Sequence, residues 1–446
     1  MQVKQISTTF INGKKASFER ELTASQDDDR QELRVINLYP QMQYQAWEHF
    51  GGAITDAAAS VLSALPPERA GEIIRAYFGK DGIGYGAIRT HMDSCDFSTG
   101  TYAALSDPTD TALHSFSLRR DERGIIPWIR EAYKAAGRAL PVMLTPWTPP
   151  EFMKTNQSRI GGGHLKEEYY PLWAKYICKY IAEYRERGIN VTALSVQNEP
   201  NAAQTWDSCL YSPAEERRFI AEALYPEMLR TGLSDLDIFI WDHNKERAFD
   251  RACVEIVPET DAMIAGLAFH WYSGDHFDAL RLVRERFPEK KLIFTEGCIE
   301  YSLYDRNQLI NAQRYAHDMI GNCNAGMNAF YDWNICLDGQ GGPNWVKNYC
   351  EAPVMCSLEN AELEYKLSFD YIAHFSRSIH PGARRIAHTV FTDALDCTAF
   401  RNPDGGIAVT VLNREKEAQS VFFRLCGQVI AAELPADSIS TFLFTA

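Results

Sequence analysis

Val191-Thr-Ala-Leu-Ser-Val-Gln-Asn198-Glu199-Pro200 and Lys291-Leu-Ile-Phe-Thr-Glu296-Gly297 are two short apolar runs, each closed by a glutamate. Both read as buried strands of a parallel sheet. In a barrel of such strands the last residues reach the face where the connecting loops gather, so a carboxylate there faces substrate and not core. Cleavage of an acetal needs two carboxyl groups in that position, one to protonate the leaving oxygen and one facing the anomeric carbon.

Working outward, short apolar runs alternate with amphipathic stretches from about residue 46 to residue 370, the pattern of βα units. Eight runs stand out, at 47–54, 84–91, 140–146, 191–198, 236–242, 264–271, 291–296 and 327–333. The stretch before the fourth predicts an outer helix: Pro171 suits its first turn, Leu172, Tyr176, Tyr180 and Tyr184 recur every four residues, and Gly188 suits a left-handed stop. Its tyrosine stripe reads as core packing. Beyond about residue 385 the pattern becomes alternating, as in Ile407-Ala-Val-Thr-Val-Leu412 and Ser438-Ile-Ser-Thr-Phe-Leu-Phe444, with a turn at Asn402-Pro-Asp-Gly405. The first residues also read as strands, with a turn at Asn12-Gly13, and chain termini often lie close together. The expected class is therefore α/β: a (β/α)₈ TIM barrel over residues 46–375, with an appended β-sandwich formed from both termini, residues 1–45 and 376–446. Ser25-Gln-Asp-Asp-Asp-Arg30 reads as a solvated loop, since no EF-hand glycine and glutamate follow at the required positions.

A chain of 446 residues accommodates such an arrangement, and 46% hydrophobic with 23% charged residues is a globular composition. No run of about eighteen apolar residues occurs, so stable membrane insertion is not expected. Lys plus Arg 45 against Asp plus Glu 59, a net charge of −14, argues against nucleic acid held by phosphate contacts. The segment from Met1 to Phe10 has no apolar h-region and no small-residue cleavage site, and eleven cysteines, Cys95, Cys178, Cys298 and Cys336 among them, include no C-x-x-C pair. Reduced thiols in a cytoplasmic protein are the expectation. The eleven histidines form no H-x-H or H-E-x-x-H, so no metal site is expected and no cofactor is called for. The sequence leaves the oligomeric state open.

Polar and aromatic residues collect just past the strands: Arg89 and Asp96 after the second, Trp147 after the third, Asn198 and Glu199 after the fourth, His270 and Tyr272 after the sixth, Glu296 after the seventh and Trp333 after the eighth. A sugar asks for this mixture, an apolar face for stacking and a rim of hydroxyls for hydrogen bonding. Trp147, Tyr272 and Trp333 are candidate faces, Asp96 and Asn198 candidate rim partners. Glu199, as proton donor, would need a raised pKa from burial and from the charge of Glu296. Carboxyls about 5 Å apart would mean a nucleophile and retention, whereas ~6.5–9.5 Å would admit a water and mean inversion. Glu300, four residues beyond Glu296, is expected to have left the mouth for a loop.

Phe50-Gly-Gly-Ala-Ile-Thr-Asp-Ala-Ala-Ala59, Met92-Asp-Ser-Cys-Asp-Phe-Ser98, Pro146-Trp-Thr-Pro-Pro150, Asn198-Glu-Pro200, His270-Trp-Tyr272, Thr295-Glu-Gly-Cys298, Asp332-Trp-Asn334 and Gly341-Gly-Pro-Asn-Trp345, in this order, resemble the family 30 glycoside hydrolases and within them the glucosylceramidase-like members. The resemblance implies a barrel with a sandwich built from both chain ends. It also implies a retaining mechanism without metal, in which Glu199 is acid/base and Glu296 nucleophile. Residues matching Asp96, Trp147, Asn198, Tyr272 and Trp333 line the sugar pocket in such enzymes, with Arg89 and His270 supporting from below and Asn348 near the entrance.

The loops depart from that pattern. Asn201-Ala-Ala-Gln-Thr-Trp206-Asp207 is short and offers Trp206, and the fifth strand ends Trp241-Asp242-His243-Asn244-Lys245 instead of with a pair of acids. The expected partner is thus a carbohydrate, a small β-glucoside or a β-1,6-linked gluco-oligosaccharide, in place of ceramide glycosides. The alternatives are endo-β-1,6-glucanase, β-xylosidase or β-fucosidase activity, a carbohydrate-binding barrel without catalysis, and a metal-dependent barrel hydrolase.

Overall fold

A computed structural model describes residues 1–445. Eight strands close a barrel: β1 (His49–Ala53), β2 (Ala87–Met92), β3 (Val142–Pro146), β4 (Val191–Ser195), β5 (Asp237–Asn244), β6 (Gly266–His270), β7 (Lys291–Glu296) and β8 (Ala329–Asp332). Neighbours run parallel, and residues of β2, β3, β6 and β8 are buried throughout. A strand covered on both sides cannot alternate polar with apolar, which is why these runs read as continuous hydrophobic stretches. Six of the eight predicted runs contain one strand, and in the other two the strand runs one or two residues further, to Met92 and Asn244.

Gly51 and Gly52 in β1 show how tightly the barrel closes. A Cβ on Gly51 would lie 2.6 Å from the Ala87 carbonyl oxygen and 2.9 Å from the Tyr331 ring, and one on Gly52 would lie 2.7 Å from Ile335. No larger residue fits at either place.

The helix before β4, Tyr170–Glu186, begins with Pro171 in its first turn, and Gly188 just beyond its end has φ +77°. Its tyrosines are buried, yet they are not simple filling. The Tyr176 hydroxyl donates to the Asp93 carboxylate at 2.6 Å, the Tyr180 hydroxyl bonds Asp121 and accepts the Asp93 N–H at 3.2 Å, and Tyr184 also reaches Asp121. The stripe therefore ties down the segment after β2, the segment that carries Asp96.

Two compact units make up the described residues, one of Phe50–Tyr304 and Phe330–Glu364, the other of Met1–His49, Asp305–Ala329 and residues 365–445. The second unit holds a ten-stranded sheet in the order Lys14–Leu22, Gln2–Ile11, Ser438–Thr445, Ile407–Asn413, Leu395–Arg401, Arg384–Thr389, Val35–Ala46, Gln419–Leu425, Gln428–Leu434, Ala24–Gln26. The N-terminal strand pairs antiparallel with the last, from Gln2↔Thr445 to Thr9↔Ser438, so both chain ends build the β-sandwich. Val3, Ile36, Leu38, Val409, Val411, Phe423 and Phe442 fill its core. The helix Gln308–Asn324 belongs to this unit and meets strand Leu395–Arg401 through His317, whose Nδ1 lies 2.9 Å from Asp396. The expected loop at 25–30 is partly ordered: Ser25 and Gln26 lie on a short strand, and Asp27 accepts from Arg424 at 2.6 Å. An arginine from a distant strand supplied a partner that local composition could not reveal.

Candidate active site

Glu199 and Glu296 leave β4 and β7 at the end of the barrel where Asp96, Phe97, Trp147, Asn198, Gln204, Trp206, His243, Asn244, Tyr272, Cys298, Glu300, Trp333, Asn348 and Cys350 line a cavity of about 150 Å³. A carboxylate oxygen of Glu199 and one of Glu296 lie within 4.8 Å of each other. Glu199 has φ +47°, and its N–H is held by the Asp242 carbonyl at 3.0 Å. That left-handed turn, unusual for a side-chain-bearing residue, swings the carboxylate into the mouth.

Arg89 organises the floor. Fully buried, it donates to Glu296 at 2.8 Å, to Asn198 Oδ1 at 2.9 Å, to Asp242 at 3.0 Å and to the Thr295 carbonyl at 3.1 Å. Its guanidinium also lies 5.1 Å from the Trp147 ring and 5.0 Å from that of Trp333, which stack on each other at 5.2 Å. A planar fork with five donors suits this place, where lysine could satisfy few of the partners. Tyr272 Oη donates to the other oxygen of Glu296 at 3.1 Å.

His270 bridges the two sides, with Nε2 3.0 Å from Asp242 and Nδ1 3.4 Å from Glu199. Burial alone would lower its pKa, but the charge of Glu296 and the bonds to Asp242 and Glu199 outweigh burial and raise it to about 9. Burial likewise pushes Glu199 up, and is outweighed by His243, His270 and Gln204, which hold the carboxyl at about 2. Since burial lowers the pKa of His243 itself, the standing positive charge opposite Glu199 is that of His270. Glu296 moves the other way: burial raises it, and the charge on Glu199 adds to that against the pull of His270 and Arg89. Asp96 is driven well up by burial and by both glutamates.

The raised pKa expected of Glu199 is thus not found. Burial acts upward as expected, and the imidazole groups of His243 and His270, brought in from β5 and β6, outweigh it. His270 also gives the fold a pH dependence. Its pKa is raised above the unfolded value of 6.5, so the stability it contributes is complete below pH 6.5 and lost as pH rises through about 9, on the order of 3 kcal/mol in all. Thermal melts between pH 6.5 and 9.5 should show this alkaline loss in the wild type and a flatter profile in His270→Gln.

Of the residues expected at the site, Asp96, Trp147, Asn198, Glu199, Trp206, Tyr272, Glu296, Trp333 and Asn348 line the cavity, and Arg89 and His270 lie beneath it. Two expectations are corrected. Glu300 does line the mouth, because Ile299–Glu300 pairs with Cys350–Glu351 and this pairing holds it there. In the segment 241–245 only His243 and Asn244 line the cavity, whereas Trp241, Asp242 and Lys245 are buried. Trp241 and Asp242 have φ +72° and +44°, next to a register shift against β6, and this turns Asp242 inward onto Arg89 and His270. Gln204 and Cys350, which follow no motif, also line the cavity, as does Cys298 at the end of the Thr295–Cys298 motif.

Residues 47–379 match the glycosyl hydrolase family 30 TIM-barrel domain, and residues 382–442 the glycosyl hydrolase family 30 beta sandwich domain. The chain belongs to glycoside hydrolase family 30. Among relatives of this family 30 enzyme, the lysosomal acid glucosylceramidase of Mus musculus is 31% identical over 86% of this chain and 78% of its own. The crystal structure of SrfJ from Salmonella typhimurium superposes with a TM-score of 0.96 at 37% identity, covering 100% of both chains. The endo-beta1,6-glucanase BT3312 superposes with a TM-score of 0.88 at 26% identity, again covering 100% of both. This chain is accordingly a glycosidase with a carbohydrate substrate, and among the described residues no helix is long and apolar enough to cross a membrane.

Proposed function

We propose that this family 30 enzyme is an exo-acting, retaining β-glucosidase that removes single glucose units from small β-glucosides or β-1,6-linked gluco-oligosaccharides. The observation that carries the stereochemistry is the approach of Glu199 and Glu296 within 4.8 Å, near the ~5–5.5 Å of retaining enzymes and too close for the water that inversion places between them. Glu296, oriented by Arg89 and Tyr272, attacks the anomeric carbon, and Glu199 protonates the departing oxygen. Glu199 then takes a proton from the water that frees the sugar. A cavity of about 150 Å³, below the ~300–1,000 Å³ of typical drug-sized sites, favours one ring at a time.

The proton for the leaving group is stored in the His270–Glu199 pair. With His270 protonated and Glu199 ionised, the proton has to cross the 3.4 Å contact from the stronger base to the weaker one, so the neutral acid forms only as bound substrate narrows the gap between their pKa values. Glu296 in turn has to be ionised before it can attack, although burial and the charge of Glu199 raise its pKa. The acidic limb of kcat/KM, which reports the free enzyme, should therefore lie above the ordinary glutamate range. A limb at or below that range would overturn this proton inventory.

The full-length likeness to an endo-β1,6-glucanase supports a second reading, cleavage within β-1,6-glucan chains. Products decide between the two: glucose from gentio-oligosaccharides and aryl β-glucosides supports the pocket reading, and mid-chain cuts of pustulan without aryl glucosidase activity would support the other. Glu199→Ala should retain turnover of 2,4-dinitrophenyl β-glucoside far better than of gentiobiose, because only the poor leaving group needs a proton.

Glu199, His270 and Glu296 also bring three possible ligand atoms within 4.8 Å, but the Arg89 guanidinium already sits on Glu296, which weakens the case for a cation there. Turnover should be unchanged after EDTA treatment; loss restored by a divalent ion would favour a metal hydrolase. Free thiols at all eleven cysteines support a reducing compartment such as the cytoplasm.

A further inference from the structure

Two cysteines occupy the wall of the sugar cavity, and the proposed hydrolysis uses neither. Cys298 follows the nucleophile by two residues, and Cys350 comes from the segment that closes the mouth. The pairing Ile299↔Glu351 and Glu300↔Cys350 sets Cys298 and Cys350 on the same face of a two-stranded ribbon, diagonal to each other. Both side chains line the same cavity, and each thiol bears on the other's pKa. Cys298 Sγ is also 3.5 Å from Tyr272 Oη, the hydroxyl that donates to Glu296.

The register decides which chemistry suits the pair. Diagonal positions on a ribbon lie ~7–8 Å apart, at or beyond the ~7 Å Cα separation above which a disulfide requires backbone movement. An atom inserted between the sulfurs relieves that constraint. Burial keeps both thiols protonated, Cys350 most strongly, so each alone is a poor nucleophile toward alkylating reagents. A centre that accepts both sulfurs gains from their proximity.

We propose that Cys298 and Cys350 form a dithiol site that takes one thiophilic centre of the trivalent-arsenic class, and that filling it shuts the enzyme. With phenylarsine oxide the step balances without oxidation or reduction. Two S–H bonds and the As–O bond break, two As–S bonds form, and both protons leave with the oxygen as one water. The bridging atom and its phenyl group then stand beside Tyr272 and Glu296, where the sugar has to bind. The inference concerns the same cavity as the proposed glucosidase, and activity is read as a fraction of each variant's own untreated rate. A different natural glycoside would therefore leave the test intact.

The experiment treats the full chain with phenylarsine oxide, following hydrolysis of an aryl β-glucoside and the intact mass. Wild type should lose more than ten-fold in rate with one phenylarsenic bridge per active site, mapped to Cys298 and Cys350. The dithiol 2,3-dimercaptopropanol should restore it, and excess monothiol should not. Cys298→Ser and Cys350→Ser should each resist at the same reagent concentration. Cys336, a buried thiol whose pKa its neighbour Cys356 helps to raise, serves as control: Cys336→Ser should remain as sensitive as wild type. Inactivation that persists in both pocket variants, a bridge mapped elsewhere, or an uninhibited wild type would overturn the proposal. Should either serine variant be inactive, its intact mass alone decides, since the mapped bridge must then be absent.

Discussion

Replacing Glu296 by alanine is expected to abolish turnover, by roughly 10⁴-fold or more, the scale on which loss of a nucleophile is measured in other hydrolases. The geometry makes the outcome specific. One oxygen of Glu296 is bound by Arg89 at 2.8 Å and the other by Tyr272 at 3.1 Å, so the carboxylate is fixed in a single orientation toward the cavity. Alanine leaves a space beside the anomeric carbon on the side opposite Glu199. Azide entering that space should restore activity and give the α-azide, because it attacks once where the wild type attacks twice. Glu199→Ala in azide should give the β-azide, since the covalent intermediate on Glu296 still forms. NMR of the products separates the two. Rescue of Glu296→Ala with a β-product, or normal activity of that variant, would remove Glu296 from its role.

Arg89→Met should be the most damaging substitution for stability, at about 3–5 kcal/mol. Arg89 is fully buried and is the cation that Glu296 and Asp242 share. Methionine matches much of its volume between Trp147 and Trp333 but leaves two buried carboxylates short of a partner. The carboxyl of Glu296 should rise further, carrying the acidic limb of any residual activity upward. Arg89→Lys should recover only part of the loss, since one ammonium cannot span Glu296, Asp242 and Asn198 together. Urea denaturation of the three proteins at pH 7 measures this. A difference below about 1 kcal/mol between wild type and Arg89→Met would mean that Arg89 is not the electrostatic keystone of the floor.

Several residues show how far reading along the chain reaches. Glu199, Glu296, Trp147 and Trp333 could be assigned to one face because a parallel barrel delivers the ends of all its strands to the same side. Asn348, expected near the entrance, and Trp206, offered by the short loop after Glu199, both line the cavity. Asp242 reads from the sequence only as part of the fifth strand's end, and two successive left-handed residues turn it into the floor, a rotation with no glycine to announce it. The tyrosines of helix Tyr170–Glu186 were apolar filling in the periodic pattern. Their hydroxyls nonetheless satisfy Asp93 and Asp121, residues more than fifty positions away.

The amino-acid sequence by itself determined the architecture, the eight-fold repeat, the joining of the two termini and the pair of glutamates. These follow from periodicity and from the direction of parallel strands, which are local rules repeated along the chain. Tertiary structure alone decided the approach of the carboxylates to within 4.8 Å, the protonated state of His270 between Asp242 and Glu199, and the placing of Cys298 and Cys350 on one cavity wall. The physical reason is the same in each case. Distances between strand ends and charges in a dry cavity depend on groups far apart in sequence, and a buried charge takes its pKa from whichever neighbours the closed barrel brings to it.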